Sequence, residues 1–393
     1  MNDLQKSNEI LIVAAEASSE LYARRIMEEA GKRSLRMSFY GIGSHAMNSQ
    51  GFDCVETSEN MAVVGIWEVL AHWSVISRAF KSLIGRASQK KPRAAILMDY
   101  PGFNLRLAKK LHGLGIPVLY FISPQVWAWR TGRVHLIKRI VSRMLVVFPF
   151  EKEFYEGFNV PVSFVGHPLL DEIKTSTLTV SARKEAREEL KVGEGEFLVG
   201  LLPGSRDSEI KHNFQTQLRA VEEIFLQRPK TRFLILIAPT LQLDKIQSLI
   251  PKDFPISMRL IKDEPLKILQ LCDACIVASG TATLMTGLAQ TPMVIMYKMN
   301  SLTGFLARRL VRGTFFGMAN LILGEKVVPE LFQEDASPAK LALEIIKYID
   351  DEDLRSAVRK KLGAIKDRLG NSGAIPRVVD NLVELISRQE SST

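Results

Sequence analysis

Three stretches of this 393-residue chain carry residue types whose spacing suits chemistry. Ile96-Leu-Met-Asp-Tyr-Pro-Gly-Phe-Asn104 ends an apolar run on Asp99, and a carboxylate at a strand end among apolar neighbours suits a general base with a raised pKa. The plainer reading is an aspartate that caps a helix or turn ahead of Pro101-Gly102. Leu201-Leu-Pro-Gly-Ser-Arg-Asp-Ser-Glu-Ile210 makes a tight Pro-Gly turn and sets Ser205, Arg206 and Ser208 just before a helix. Backbone N–H groups, hydroxyls and a guanidinium at a helix N-terminus favour a diphosphate, although an N-capped helix with a solvated arginine has the same pattern. Ile276-Val-Ala-Ser-Gly-Thr-Ala-Thr-Leu284 repeats the arrangement with Ser279, Gly280 and Thr281. Two such loops at strand C-termini of one sheet face one crevice. Neither is a Walker loop or a Gly-x-Gly-x-x-Gly fingerprint, which argues against an ATPase or a dehydrogenase.

Other stretches are more ambiguous. Ser123-Pro-Gln-Val-Trp-Ala-Trp-Arg-Thr-Gly-Arg133 sets Trp127 and Trp129 beside Arg130 and Arg133, which suits stacking on a sugar, holding a phosphate or binding a nucleic acid. Val13-Ala-Ala-Glu-Ala-Ser-Ser-Glu-Leu-Tyr-Ala-Arg-Arg25 turns a strand into a helix with two carboxylates and no glycine, unlike a phosphate cradle. His167, in Gly-His-Pro, reads as a structural histidine near an interdomain hinge. Cys272 and Cys275 have redox or zinc spacing, but no second pair or nearby His completes a site, so the three cysteines read as structural. Asp350-Asp-Glu-Asp353 reads as a solvated face, and no metal is expected.

These residues need a frame. Ten short apolar runs alternate with helical patterns: Ile10–Val13, Ser38–Gly41, Ala94–Met98, Pro117–Ile122, Met144–Phe148, Phe197–Leu202, Phe233–Ala238, Met258–Ile261, Ala274–Ala278 and Met293–Tyr297. That rhythm predicts parallel α/β sheets. The pattern between Asn104 and Gly115 has helical spacing and a terminal glycine. A polar, charged segment near 171–196 marks a boundary between two doubly wound, Rossmann-like domains that face a cleft, spanning 1–172 and 195–365. The tail beyond about 337 reads as helical, and a last helix, about 366–393, is expected to pack back on the first domain.

The formal net charge of +9 suits an anionic partner: a nucleotide, a phospholipid surface or a nucleic acid. No apolar run approaches the roughly 20 residues of a membrane span, and the polar start lacks a signal peptide's layout, so a cytoplasmic protein is the simplest reading. The interrupted apolar stretch Met61–Ile76, followed by Arg78, Lys81 and Arg86, suits an amphipathic helix on an anionic bilayer or an ordinary core helix.

Phe121-Ile-Ser-Pro-Gln-Val-Trp-Ala-Trp-Arg, Phe164-Val-Gly-His-Pro-Leu169, Leu202-Pro-Gly-Ser-Arg206, Ala278-Ser-Gly-Thr-Ala-Thr-Leu284 and Val327-Val-Pro-Glu-Leu-Phe-Gln-Glu-Asp335 resemble, in order and spacing, the lipid-A-disaccharide synthases. The resemblance covers about residues 8 to 385. It implies a GT-B type glycosyltransferase that joins UDP-2,3-diacylglucosamine to 2,3-diacylglucosamine 1-phosphate, forms a β-1,6 disaccharide with inversion and releases UDP. By resemblance Asp99 is the base for the acceptor's 6-hydroxyl, Asn104 orients the site, and Glu16 and Ser18 line the acceptor side with Trp127, Trp129, Arg130 and His167. Ser205, Arg206, Ser279, Gly280 and Thr281 hold phosphate or ribose, with Asn320, Glu330 and Gln333 in matching motifs. The implied partners are the two acylated sugars and an anionic inner-membrane surface met through Val64, Ile66, Trp67, Val69, Leu70 and Trp73. The apolar, basic stretch from Phe305 to Arg312 is a second lipid or phosphate candidate. No cofactor and no nucleic acid are implied, and a homodimer is compatible with the reading.

The chain departs from the family at several places. Ala15 and Ser19 stand where the family has glycines, which calls for backbone without strongly positive φ and narrows the space beside the sugar. Gly102 replaces an Asp. Met285 replaces a glutamate suited to a ribose hydroxyl, and Gly41-Ile-Gly-Ser-His-Ala-Met47 changes two more side chains. A divergent paralogue with another donor or acceptor, and a non-catalytic lipid-binding protein on the same scaffold, are the competing readings.

Overall fold

The computed structural model describes residues 8–61, 73–129, 131–171, 178–239, 241–298 and 315–391. Val64, Ile66, Trp67, Val69, Leu70, Arg130 and the stretch from Phe305 to Arg312 lie outside them, as do the side chains of Trp73 and Trp129. The chain divides into two compact units, Met1–Pro168 with Asn371–Thr393, and Leu169–Gly370.

The first unit is built on a seven-stranded sheet in the order β3-β2-β1-β4-β5-β6-β7. Its strands are β1 Glu9–Ala14, β2 Ser38–Gly43, β3 Phe52–Thr57, β4 Ala94–Met98, β5 Val118–Phe121, β6 Arg143–Val146 and β7 Val162–Phe164. The second unit has a six-stranded sheet in the order β10-β9-β8-β11-β12-β13. Its strands are β8 Phe197–Leu202, β9 Thr231–Leu236, β10 Met258–Ile261, β11 Ala274–Ala278, β12 Met293–Tyr297 and β13 Glu330–Phe332. Every pairing is parallel. Parallel sheets are covered by helices on both faces, so their central strands must be apolar throughout, and β4 and β11 are buried along their whole length.

Three strands fall outside the ten apolar runs: β3, β7 and β13. Each is a sheet edge with one neighbour, and almost all of their residues are half-buried or exposed, so Asp53 and Glu56 are tolerated there. The apolar-run rule misses these three edge strands for that reason, while the fourth edge, β10, keeps an apolar run.

The polar interval 171–196 holds a helix, Val180–Glu189, whose first turn is capped by Thr179 Oγ1 accepting from Ala182 N at 3.2 Å. Arg183 and Arg187 reach Asp273 at 3.3 and 3.0 Å, which ties the helix to the second unit. The two units divide at Pro168/Leu169. The terminal helix Ala374–Ser391 lies on the first unit. Asp380 pairs with Arg33 at 2.5 Å, Glu384 pairs with Arg143 at 2.6 Å, and Arg377 Nε donates to Val165 O at 2.7 Å.

Cys272 and Cys275 are free, fully buried thiols, and Gly200 leaves them their space: a Cβ there would lie 2.9 Å from Cys275 Sγ. Asp351 caps the helix Glu352–Arg368 by accepting from Leu354 N at 2.8 Å, while Asp350 binds Arg228 at 2.7 Å.

Candidate functional site

In each sheet the strand order reverses once, between β1 and β4 and between β8 and β11. Loops leaving the C-terminal ends of strands diverge at such a reversal, which opens a ligand crevice. Glu16 and Asp99 lie at the first of these points, and Ser205, Arg206, Ser279, Gly280 and Thr281 at the second.

In the first unit β1 and β4 pair through Ala14 and Met98; Asp99 follows Met98 directly, and Glu16 follows Ala14 after one residue, Ala15. Glu16 is extended (φ −128°) and leads into the helix Ala17–Lys32. Asp99 and Tyr100 are both left-handed (φ 48° and 42°), a conformation that costs most side chains energy and that Asp tolerates better than most. The turn is held by its neighbours. Asn104, fully buried in the helix Pro101–Gly113, donates through Nδ2 to Met98 O at 2.9 Å and Asp99 O at 2.8 Å, and Tyr120 OH donates to Asp99 O at 2.6 Å. Tyr100, not Asp99, is the N-cap residue of that helix. Burial raises the Tyr100 phenol, and the Glu16 carboxylate adds to it, which places these two side chains within electrostatic reach. Burial also raises the Tyr120 phenol, Asp99 adds to it, and Arg133 opposes it. Arg133 thus belongs to this edge.

Ala15 and Ser19 do not narrow an open space. Both are 1% exposed, neither has positive φ, and Ser19 Oγ accepts from Glu16 N at 3.0 Å and donates to Glu16 O at 2.7 Å. Ser19 thus fastens the helix start from its third position. Ser18 beside it is exposed.

Beyond β5 and β6 lies a buried polar group that the motif search missed. Glu151 is 2% exposed, accepts from Trp127 Nε1 and from Phe148 N, each at 3.3 Å, and burial pushes its carboxyl up to about 8. Ser123 Oγ and Tyr155 OH are 2.8 Å apart. His167 packs its ring 5.4 Å from that of Phe148, and burial lowers it to about 3, so the imidazole is neutral near neutral pH. The signal for Glu151 is local: it is the first carboxylate in the aromatic run Phe148-Pro-Phe-Glu-Lys-Glu-Phe-Tyr155 and the third residue of the helix Pro149–Gly157, where a side chain can reach back to the N-cap N–H.

In the second unit β8 and β11 pair through Leu202 and Val277. After β8, Gly204 (φ 128°) makes the turn and Ser205, Arg206 and Ser208 are exposed at the start of the helix Asp207–Gln227. After β11, Gly280 (φ 145°) opens the helix Thr281–Leu288, with Gly280 and Thr281 exposed. Ser279 Oγ donates to Phe316 O at 3.0 Å.

Asn320 and Glu330 frame the backbone that receives this bond. Glu330 accepts from Phe316 N at 2.9 Å, Gly317 N at 3.1 Å and Asn320 Nδ2 at 2.8 Å. Asn320 is fully buried, its Oδ1 accepting from Val327 N and Val328 N at 2.9 and 3.0 Å and its Nδ2 also donating to Val328 O. These side chains are committed to the loop itself. Burial raises Glu330, against the hydrogen bonds it accepts. Gln333 is left-handed (φ 54°) and 9% exposed, and Met285 is half-buried on the helix after Gly280. Among the described residues no group of three or more His, Cys, Asp or Glu side chains is placed to hold a metal ion, and no helix is long and apolar enough to cross a membrane.

The profile of the lipid-A-disaccharide synthetase family matches residues 10–372. The lipid-A-disaccharide synthase of Geobacter sulfurreducens is 42% identical over 383 residues, 98% of each chain, and that of Nitrosococcus oceani 41% identical over 378 residues, 96% of each. Among solved structures, the UDP-GlcNAc 2-epimerase from Neisseria meningitidis bound to UDP-GlcNAc has a TM-score of 0.63 at 11% identity, over 96% of this chain and 100% of that one. The calicheamicin glycosyltransferase CalG4 gives 0.58 at 13% identity, over 98% and 99%. At such identities the likeness is one of fold: two parallel sheets with alternating helices, the GT-B arrangement.

Proposed function

The chain belongs to the lipid-A-disaccharide synthase family and is a UDP-sugar-dependent glycosyltransferase, and we propose that its two strand-order reversals divide the reaction between them. The family's reaction moves 2,3-diacylglucosamine from UDP to 2,3-diacylglucosamine 1-phosphate, forming a β-1,6 disaccharide and UDP. In this reading the Asp99 carboxylate takes the proton of the acceptor's 6-hydroxyl as that oxygen attacks the anomeric carbon. The bond to UDP breaks on the opposite face and configuration inverts. Asn104 holds the turn that aims Asp99, and Glu16 and Ser18 line the acceptor side. Trp127 and Trp129, with Arg130 and Arg133, receive sugar or 1-phosphate, while His167 keeps their surroundings packed.

Charge grows on the diphosphate as it departs. Arg206, Ser205 and the N–H groups opening the helices Asp207–Gln227 and Thr281–Leu288 are fixed donors that meet it without reorganising. Ser279, Gly280 and Thr281 hold phosphate or ribose, and Asn320, Glu330 and Gln333 serve by shaping the loop around Phe316. No metal is given a role.

The acyl chains of both substrates favour work at a bilayer, on the cytoplasmic face of the inner membrane. Val64, Ile66, Trp67, Val69, Leu70 and Trp73 are the proposed contact, ahead of Arg78 and Lys81, which are exposed on the helix Trp73–Lys90. Paired Trp67→Glu and Leu70→Glu substitutions should lower co-sedimentation with anionic vesicles, and unchanged sedimentation removes the assignment.

What carries the reading of the site is the position of Glu16 and Asp99, within two residues of the paired ends of β1 and β4. The test is UDP release from folded protein supplied with UDP-2,3-diacylglucosamine and the monosaccharide phosphate. Release by wild type that survives undiminished in Asp99→Asn sinks the assignment of the base.

A further inference from the structure

Glu209 has no part in the reaction as described, yet it touches both side chains given to the diphosphate. It is the third residue of the helix Asp207–Gln227. Its Oε2 accepts from Ser205 N at 2.8 Å and lies 3.5 Å from Ser205 Oγ, while its Oε1 lies 3.6 Å from Arg206 Nη1. Gly204 is what lets it come so close: a Cβ on that residue would sit 2.6 Å from Glu209 Cβ and 2.7 Å from Oε2. The carboxylate is therefore seated against the turn.

A helix-start carboxylate that takes a backbone N–H explains half of this arrangement. The other half is electrostatic. Arg206 keeps 42% of its side chain exposed and Glu209 only 15%, and a solvent-facing pair of this length adds little stability. What it can fix is direction. A carboxylate also repels a diphosphate, so its placement here gains something only through the guanidinium it orients.

We propose that Glu209 is a positioning residue for the transfer step: it pins the turn through Ser205 N–H and aims Arg206 at the departing diphosphate. The inference rests on Arg206 being the diphosphate's partner. The leaving UDP carries more negative charge than the sugar-esterified donor, so a misaimed guanidinium costs more in the transition state than in the ground state.

The experiment is a double-mutant cycle on the full chain, reading kcat and KM for the UDP donor in wild type, Glu209→Ala, Arg206→Ala and the double variant. Arg206→Ala should lower kcat about 100-fold, as loss of one transition-state donor does. Glu209→Ala should lower kcat about 10-fold with KM within about threefold of wild type, and the double variant should be no slower than Arg206→Ala, because both changes remove one interaction. Glu209→Gln keeps an acceptor for Ser205 N–H but no charge, and should fall between wild type and Glu209→Ala. It also carries the cycle if the alanine variant does not fold. A double variant slowed by the product of the two single effects, or a loss confined to KM, overturns the positioning role alone. An Arg206→Ala enzyme as fast as wild type overturns the diphosphate assignment and this inference with it.

Discussion

The side-chain amide of Asn104 donates to the backbone carbonyl of Asp99 at 2.8 Å while also holding the carbonyl of Met98 at 2.9 Å. One buried group thus ties the last residue of β4 and the left-handed residue after it to the helix they lead into. The backbone that carries the Asp99 carboxylate is therefore fixed before any substrate arrives.

Asp99→Asn keeps the turn, because Asn tolerates the left-handed region as well as Asp does. Its kcat should fall by about 10²–10⁴-fold, the usual worth of a general base, while the thermal midpoint moves by less than about 2 °C. Activity within tenfold of wild type in a folded variant removes Asp99 as the base.

Asn104→Leu takes the other route. The buried Met98 carbonyl loses its side-chain donor and Asp99 O loses one donor while keeping Tyr120, at about 1–3 kcal/mol for a buried group left unsatisfied. Urea unfolding should show that loss, and kcat should fall with it as the left-handed turn relaxes. A variant of wild-type stability contradicts the account of how the turn is held.

Asn320→Ala separates frame from ligand. It strands Val327 N, Val328 N and Val328 O, so stability should drop by about 2–5 kcal/mol, among the larger single-site losses. Arg206→Lys should do the reverse, leaving denaturant stability near wild type and lowering kcat, since an ammonium does not reproduce a guanidinium's planar fork. A stable Asn320→Ala protein that fails only in UDP binding shows the amide touching the nucleotide directly.

The sequence was legible where chemistry depends on neighbours in the chain. Asp99 before Pro-Gly, Ser205-Arg206 after Pro-Gly, and Ser279-Gly-Thr281 after an apolar run are each a strand end plus its turn, and all three sit at strand-order reversals. It was opaque where partners are distant or where an edge relaxes the pattern. Glu330 bonds a backbone 13 and 14 residues earlier, which no spacing rule foretells. β3, β7 and β13 have one neighbour each and lack the apolar signature of central strands. Ser19 is a further case: its hydroxyl fastens Glu16 from the third position of the helix, a contact that the absence of a glycine does not announce.

Glu151 and His167, both buried in the first unit, should make its stability depend on pH in opposite directions. An unfolded histidine titrates near 6.5 and folded His167 near 3, so between these values the unfolded chain binds a proton that the native state refuses. Its contribution is intact above about 6.5 and is lost as pH falls toward 3. Glu151 is the converse: its carboxyl titrates near 4.5 when unfolded and about 8 when folded, so the native state keeps a proton the unfolded chain has released. That contribution is intact below 4.5 and is lost as pH rises through about 8. Glu151→Gln removes the second dependence but presents an amide N–H₂ where one of two N–H donors, Trp127 Nε1 or Phe148 N, needs an acceptor. It should be less stable than wild type at pH 5, with the gap narrowing steadily toward pH 9. Chemical denaturation at pH 5, 7 and 9 reads this directly, and a gap that does not change with pH shows that burial leaves the Glu151 carboxyl at its ordinary value.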